Sequence, residues 1–379
     1  MNEKNSHAKT EMRAFPDQSI NKEQWREEQI VAVLYRNARG AMVGSMVGIA
    51  LVSYVLSSVF PFVPLLIWFV IGETLNIARW QAHRMYVDQP KRYSAHTWIS
   101  IHRWFTLASG GMYGALTIFF FSSTEPLYQA LVIFLVGGMA AAAVGTHGVD
   151  RITYQLFLFP SLIPLAVRSL IEFTEVHMTL AIMLVLLGAV MLRSAKQTRE
   201  VMLENIDMSY SLHYRATHDG LVGLLNRDEF QNLFHREITA GNTELTTAMM
   251  FIDLDNFKVL NDTYGHRAGD QALIKIGEII RSSIRRSDIA ARFGGDEFMI
   301  LVQAEQLEDI QTIAQKIQNR LQAFQESTNR TTAPLGASIG ISYTRRHKID
   351  FDEMLLAADK ACYEAKKAGK GQVVLQALG

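Results

Sequence analysis

The stretch Arg292-Phe293-Gly294-Gly295-Asp296-Glu297-Phe298 decides how the C-terminal half of this 379-residue chain is interpreted. Apolar residues typical of β-strands flank it, at 289–291 and at 298–302. Two glycines between two strand-like runs predict a tight hairpin turn, because glycine tolerates the positive φ that such turns require. A bare turn needs no pair of acids, so Asp296 and Glu297 predict a metal or phosphate site here.

A second acid pair follows an apolar run further upstream. Residues 249–252 are Met-Met-Phe-Ile, and Asp253-Leu254-Asp255 come directly after them. A run that is apolar on both faces predicts a central strand. Since neighbouring strands lie about 4.8 Å apart, Asp253 and Asp296 would meet at one sheet edge if this strand pairs beside the hairpin. Carboxylates so placed suit Mg²⁺, and two such ions assist nucleotidyl transfer. The residues alone therefore predict metal-dependent nucleotidyl transfer.

Strand and helix patterns alternate through residues 218–379, which we predict to be an α+β domain with a mixed or antiparallel sheet. Helices are predicted at 228–240, 270–284, 305–325 and 352–368, and strands at 247–252, on either side of the Gly-Gly turn, at 336–343 and at 372–375.

Five motifs in this region resemble those of the GGDEF family of diguanylate cyclases. They read HDGLVGLLNR at 218–227, FIDLDNFK at 251–258, NDTYGHRAGD at 261–270, GGDEF at 294–298 and AADKACYEAK at 357–366. The resemblance covers residues 216–375 in order and spacing, and it leaves the preceding half of the chain uncovered. It implies a palm-like nucleotidyl cyclase that converts two GTP molecules into cyclic di-GMP and two pyrophosphates.

The resemblance also implies roles for individual residues. Asp253 and Asp296, with the carbonyl of Leu254, would bind Mg²⁺, two ions per active site, with Mn²⁺ as an alternative. Glu297 would act either as a metal ligand or as a base, and the resemblance does not separate the two. Lys258 would assist catalysis by neutralising phosphate charge.

Substrate contacts follow from the same motifs. Asn261 and Asp270 would hydrogen-bond the guanine edge, with His266 nearby, and adenine would leave the Asp270 carboxylate unpaired. Gly294 and Gly295 would let the nucleotide lie against the backbone. Phosphate charge would also be neutralised by Lys366 and Lys370. Asp255 is expected to be structural.

Several positions depart from the family pattern. Gly220 and Val222 differ from the usual residues in the first turn of the domain, which we place away from the chemistry. Lys370 and Gly371 stand where Arg and Asn are usual. A lysine keeps the charge but loses bidentate phosphate contact, so weaker triphosphate binding is expected. No metal ligand or base-reading residue is lost, and the domain is predicted to be an active enzyme.

Two further expectations rest on the resemblance. Arg285 and Asp288 match the family's inhibitory product site, where a dimer of cyclic di-GMP would bind. Each domain would hold one GTP, so that catalysis needs two domains facing each other in a homodimer.

The preceding half of the chain has a different character. Six apolar runs of membrane-spanning length are predicted, at 41–59, 64–78, 104–121, 127–146, 154–170 and 178–192. Lys and Arg are concentrated in the segments that lie on the same side of the membrane as the two termini. Because cytoplasmic segments carry the excess of positive charge, both ends are predicted to be cytoplasmic, in a bacterial inner membrane. The division is therefore an N-terminal cytoplasmic segment at 1–40, a six-span sensory domain at 41–192, a signalling helix at 193–217 and the GGDEF domain at 218–379.

Polar residues near the span ends leave two interpretations open. The residues are Glu73, His83, His102 and His147. They would either bind a metal or cofactor, or be hydrated side chains at the level of the lipid headgroups. Gly137-Gly138 and residues 140–143 predict close helix packing, either within one subunit or between subunits.

Residues 193–217 contain no Gly or Pro and predict a continuous helix. Val201, Asn205, Met208 and Leu212 lie near heptad spacing, which indicates either a plain continuation of the last span or a dimeric stalk.

Composition excludes some classes of protein. Thirty-seven basic and 37 acidic residues balance, so no global basic field points to nucleic acid. The single cysteine, Cys362, excludes a disulfide framework within the chain and is expected to be a buried apolar residue. Two alternatives to an enzyme are a catalytically idle module that reads GTP or cyclic di-GMP, and a transporter with a regulatory domain. Intact metal acids argue against the first, and spans without paired charges argue against the second.

Overall fold

The chain forms two compact units that divide between Tyr210 and Ser211. The structure is a computed structural model that describes residues 22–122, 125–240, 245–327, 335–346 and 349–379. The predicted four-part division stays a prediction, and residues 1–21 of its first segment lie outside the described part. Residues from Lys22 onwards already belong to the first long helix.

Six long helices run through the described part of the first unit. They are α1 (Lys22–Leu56), α2 (Phe62–Asp88), α3 (Ala95–Phe120), α4 (Pro126–His147), α5 (Arg151–Ile171) and α6 (Glu175–Thr217), with a 3-10 turn at Pro90–Arg92 between α2 and α3. Four of them contain a predicted span completely, whereas the predicted spans 41–59 and 104–121 end three residues beyond α1 and one residue beyond α3.

Five of these helices, all but α3, are long and apolar enough to cross a membrane, as far as the described residues go. The exception, α3, carries several polar side chains that neighbouring helices bury. His102, Thr106, Ser109 and Thr117 of α3 are at most 6% exposed. The hydroxyls of Thr106 and Ser109 donate to backbone carbonyls one turn earlier, which satisfies them inside the helix. A helix that faces its neighbours rather than lipid can carry such residues.

The beginning of α1 and the later part of α6 lie at the same end of this unit. Lys22 and Arg26 pair with Asp207 at 3.3 and 3.7 Å. Trp25 and Leu203 belong to one buried cluster there. The chain therefore traverses the unit an even number of times, with α3 as one of six passes.

The tightest helix crossing in this unit is between α3 and α5. A Cβ at Gly110 would collide with the backbone carbonyl of Phe157, and one at Gly114 with that of Pro160. The predicted Gly137-Gly138 pair is looser: a Cβ at Gly137 would make ordinary contact with Leu187 at 3.6 Å, and one at Gly138 would meet nothing within 4 Å. Within the chain, the close crossing is thus at Gly110 and Gly114, and packing between subunits at Gly137-Gly138 stays a prediction.

The second unit is an α+β domain with a mixed sheet, as predicted. Its elements are α7 (Arg227–Ala240), β1 (Thr246–Asp255), α8 (Phe257–Tyr264), α9 (His266–Ser283), β2 (Ile289–Gly294), β3 (Glu297–Ala304), α10 (Leu307–Ser327), β4 (Gly336–Thr344), α11 (Phe351–Lys367) and β5 (Val373–Ala377). The strand order is β2-β3-β1-β4-β5, antiparallel except for the parallel pair β4–β5.

The central strand β1 is buried along nearly its whole length, as its apolar run indicated. Met250 and Ile252 face a core that includes Ile276 of α9. Met249 and Phe251 point to the other face, where Phe230 of α7 packs. Burial on both faces fixes the register of β1, because a slip by one residue would exchange its two sets of side chains.

Candidate active site

Two acid pairs meet at one end of the sheet. In the β1–β3 ladder Asp253 lies opposite Glu297. The backbone N–H of Leu254 donates to the carbonyl of Asp296 at 3.2 Å. The strand that ends in Asp253 therefore does pair beside the hairpin, and the predicted meeting of Asp253 with Asp296 follows from this register.

The hairpin turn between β2 and β3 is held by an arginine to which sequence reasoning assigned no role. Arg292 donates from Nε and Nη2 to the carbonyl of Gly295 at 3.0 and 2.7 Å. Its Nη1 reaches the carboxylate of Asp219 at 3.2 Å. Gly295 has a φ of +48°, and a Cβ at Gly294 or Gly295 would meet nothing within 4 Å. Arg292 thus holds the turn in place, and space remains beside the backbone of both glycines. Its link to Asp219 also ties it to the first turn of the domain, which the sequence placed away from the chemistry.

One lysine serves the acid cluster. Lys366 Nζ lies 2.7 Å from Asp253 Oδ2. Burial raises the pKa of Asp253, as do Asp296 and Asp255, and Lys366 only partly offsets this. Burial and the neighbouring carboxylates, Asp253 first, likewise raise the pKa of Glu297. The site therefore holds more negative charge than its own cation neutralises.

This excess charge fits a divalent cation of the hard, oxygen-binding kind. Asp253, Asp296 and the carbonyl of Leu254 supply oxygen donors at one sheet end, which suits an ion that completes its shell with water and phosphate oxygens. Within the described ranges no three His, Cys, Asp or Glu side chains form a closed metal cage.

The predicted guanine-reading residues lie on α8 and α9. The side-chain oxygen of Asn261 on α8 is buried and has no hydrogen-bond partner among the described residues. Gly269 of α9 packs so closely that a Cβ there would collide with the Asn261 side chain. His266 and Asp270 lie in the first turns of α9 and are exposed. An unpaired buried acceptor is costly, and an N–H of a base would satisfy it.

Two other lysines are predicted to neutralise phosphate charge, Lys258 and Lys370. Lys258 on α8 is exposed. Lys370 follows α11 with a φ of +64°, and its Nζ donates to Asn256 Oδ1 at 2.9 Å. Gly371, with a φ of +57°, adopts a left-handed conformation that Asn also tolerates. This explains why glycine can replace the Asn that is usual there.

Two buried residues near the site are structural. Asp255 is 4% exposed and accepts hydrogen bonds from the Ser338 hydroxyl and the Gly371 backbone. Burial raises the pKa of the Cys362 thiol to about 12, and its Sγ donates to the carbonyl of Ser338. Cys362 is therefore a buried apolar residue, as expected.

Arg285 and Asp288 form a turn before β2. Asp288 is 3% exposed, and its carboxylate accepts from the backbone N–H of Arg285 at 2.7 Å. The Arg285 side chain is exposed and pairs with Asp309 at 3.6 Å. In this arrangement Arg285 is accessible to a ligand, while Asp288 holds the turn.

The four polar candidates of the first unit separate into two groups. His102 and His147 are buried inside the bundle, with 3.3 Å between Nε2 and Nδ1, so neither is a wet residue at headgroup level. Glu73 and His83 are partly exposed.

Comparison with known proteins assigns the second unit. The family model described as "Diguanylate cyclase, GGDEF domain" matches residues 216–372. This part of the chain is a GGDEF domain of the diguanylate cyclase family. Its Asp253, Asp296 and Glu297 are the acids that the geometry brings together.

Particular relatives match the same part. "Probable diguanylate cyclase DgcE" of Escherichia coli is 35% identical over 173 residues, which are 45% of this chain and 16% of that protein. "Diguanylate cyclase DosC" of the same organism is 37% identical over 160 residues, 41% of this chain and 34% of that protein. The solved structure of the coiled coil and GGDEF domain of DgcB from Caulobacter crescentus in complex with c-di-GMP is 28% identical, with a TM-score of 0.44, and covers 48% of this chain and 97% of that chain. The chain thus spans less than half the length of either curated relative.

Proposed function

We propose that this protein is a diguanylate cyclase anchored in the bacterial inner membrane, which condenses two GTP molecules into cyclic di-GMP and two pyrophosphates. The observation that carries the proposal is the pairing of Asp253 with Glu297 and of Leu254 with Asp296 at one sheet end. That acid cluster lies in a GGDEF domain with an intact signature.

The acid cluster would work with two divalent cations, Mg²⁺ or alternatively Mn²⁺. When bound, they would supply the positive charge that activates an attacking hydroxyl oxygen and stabilises the leaving pyrophosphate. Asp253, Asp296 and the Leu254 carbonyl would hold them. Glu297 is close enough in the ladder to serve as a further ligand or to accept the proton of the hydroxyl.

Other residues would bind and orient the nucleotide. Asn261 and Asp270 would accept hydrogen bonds from the guanine edge, with His266 beside them. The open backbone at Gly294 and Gly295 would lie under the phosphates. Phosphate charge would be neutralised by Lys258, Lys366 and Lys370.

Cyclisation would require two copies of the domain. Each 3′-hydroxyl attacks the α-phosphate of the other nucleotide, so two half-sites must face each other. The helix α6 exposes Val201, Met208 and Leu212 along one stripe, which supports a dimeric stalk. Small changes in its register would misplace the half-sites and so regulate turnover.

The orientation in the membrane is part of the proposal. GTP is a cytoplasmic substrate, so the second unit and both chain ends would lie in the cytoplasm. The shared location of Lys22 and Asp207 at one end of the first unit supports this arrangement. Lipid would contact the apolar outer faces, and a sensory role of the first unit remains part of this proposal. No contact with nucleic acid is proposed.

An idle GTP-binding module is the second candidate, and one assay separates it from an enzyme. The full-length protein in lipid nanodiscs is supplied with GTP and Mg²⁺, and products are quantified by liquid chromatography with mass spectrometry. A cyclase yields cyclic di-GMP and pyrophosphate in the ratio one to two. Bound GTP without either product would exclude the cyclase and favour the module.

The acid limb of the pH profile, which is the fall of kcat/KM at low pH, should depend on Lys366. Activity needs ionised Asp253 and Glu297, so kcat/KM should fall as pH falls through their raised pKa values. Burial lowers the pKa of Lys366, but its hydrogen bond to Asp253 raises it on balance, so the ammonium stays charged across that range. Lys366→Met removes the cation and should move the acid limb to higher pH, whereas Lys366→Arg should keep it in place. An acid limb unmoved by Lys366→Met would refute this electrostatic role.

Product inhibition should depend on Arg285. Its exposed side chain pairs with Asp309, a surface contact that contributes little to stability. Arg285→Ala should leave basal turnover intact and raise the concentration of added cyclic di-GMP needed for inhibition at least about tenfold, the factor for about 1.4 kcal/mol. Arg286→Ala, at the exposed neighbouring position, is the control. Unchanged inhibition in Arg285→Ala would exclude a product site at this turn.

A further inference from the structure

A cavity of about 290 Å³ lies inside the first unit, with its mouth between α1 and α4. Small, exposed residues form the mouth: Gly40 and Gly44 of α1 and Ala142 of α4. A Cβ added at either glycine would meet no heavy atom within 4 Å. The volume lies near the lower end of the range of about 300–1,000 Å³ that small-molecule sites occupy. The space is therefore suited to a small molecule.

The inner wall of this cavity is polar although it lies among apolar helices. Ser45, Arg79, Tyr113 and His147 line it and are all buried. The hydroxyls of Ser45 and Tyr113 are 3.0 Å apart, and Arg79 Nη1 donates to Ser109 Oγ at 3.2 Å. A lipid-filled gap between helices would not need such groups.

Arg79 carries a charge that its surroundings leave unbalanced. The residue is 8% exposed, and among the described residues no carboxylate lies within 4.0 Å of its guanidinium. Asp150 is engaged by Arg103 at 2.9 Å. Glu73 lies six residues earlier on α2, about 9 Å along the axis at 1.5 Å per residue, and it forms no ion pair with Arg79 within 4.0 Å. A cation buried without a counter-ion is unfavourable, and an anion in the cavity would relieve this cost.

We propose that this cavity binds a small carboxylate with a short apolar body. The planar guanidinium of Arg79 matches a carboxylate with two parallel hydrogen bonds, and the Tyr113 hydroxyl offers a further donor. Met139 and Phe157 line the cavity with apolar surface for the rest of the molecule. The carboxylate would belong to a free small acid or to the headgroup of a serine phospholipid.

Butyrate is the probe for this site. Binding of radiolabelled butyrate to the full-length protein is measured in phosphatidylcholine nanodiscs, with unlabelled butyramide and inorganic phosphate as competitors. Saturable binding that neither competitor displaces is expected. Arg79→Gln should weaken it at least about tenfold, and Arg84→Gln, at an exposed position of the same helix, should leave it unchanged. Repeating the measurement in phosphatidylserine discs identifies the source: loss of butyrate binding assigns the headgroup, and retention assigns a free acid.

A second variant keeps Arg79 and fills the space instead. Gly44→Leu places a side chain in the open mouth and should abolish butyrate binding, while Gly111→Leu, at an open glycine on α3, should not. Absence of saturable butyrate binding to the wild type in phosphatidylcholine discs would overturn the proposal. So would equal displacement by butyramide, or wild-type affinity in both Arg79→Gln and Gly44→Leu. None of these readings depends on cyclase activity.

Discussion

Asp296→Ala should reduce the formation of cyclic di-GMP at least about 100-fold. Loss of a residue that only supports a metal ligand costs about 10–100-fold, so loss of a ligand itself should cost more. Asp296 follows the Gly-Gly turn, and its carbonyl already accepts from Leu254, so the backbone is held independently of the carboxylate. The alanine variant should therefore fold normally and lose only the donor oxygens.

The control for this variant is Asp228→Ala, which removes an exposed acid on α7. Product is measured by mass spectrometry with GTP and Mg²⁺, and thermal unfolding verifies that both variants are folded. Near-normal turnover of Asp296→Ala, with Asp228→Ala unaffected, would show that the chemistry takes place elsewhere.

Asp270→Asn should lower kcat/KM for GTP about 10–100-fold, because a well-placed pair of hydrogen bonds to a base edge contributes about 1–3 kcal/mol. The amide retains the size of the carboxylate but replaces one acceptor with a donor, which faces the donor groups of guanine. Discrimination against ATP should shrink, since the adenine edge no longer leaves a carboxylate unpaired.

Asp262→Asn is a matched control, since Asp262 is an exposed acid on the neighbouring helix α8. Rates of pyrophosphate release with GTP and with ATP are compared across the three proteins. If Asp270→Asn keeps the wild-type preference for GTP, base recognition does not pass through this carboxylate.

The sheet end of the site was predictable from sequence. A strand-like run that is apolar on both faces predicts a central strand, and a Gly-Gly turn between apolar runs predicts a hairpin. These two local signals bring Asp253 and Asp296 to one edge once the strands pair. The sheet itself and the helices on its faces followed from the same periodicities.

The helix α8 was not predicted, although it carries Asn261. Its eight residues include Asn and Thr, which are weak helix formers, and eight residues are too few for a helical pattern to be recognised from sequence. It begins after Asn256, whose φ of +62° forces a sharp change of direction. The role of Arg292 was also missed, because a contact to the backbone of Gly295 leaves no sequence pattern beyond proximity to the signature.

The interior of the first unit was predictable only in outline. Hydropathy finds helices but does not say which of their faces meet. The spacing Gly110-x-x-x-Gly114 was the available signal for the close crossing of α3 with α5. The burial of Arg79, His102 and His147 depends on how six helices pack, which no single helix encodes.

The central claim is that two GGDEF domains, each with one GTP, form the product between them. Nanodiscs containing one chain are compared with discs containing two, at equal total protein, GTP and Mg²⁺, and cyclic di-GMP is quantified. The account predicts product from the two-chain discs and essentially none from the one-chain discs. Equal yields per chain, or no product from either, would contradict it.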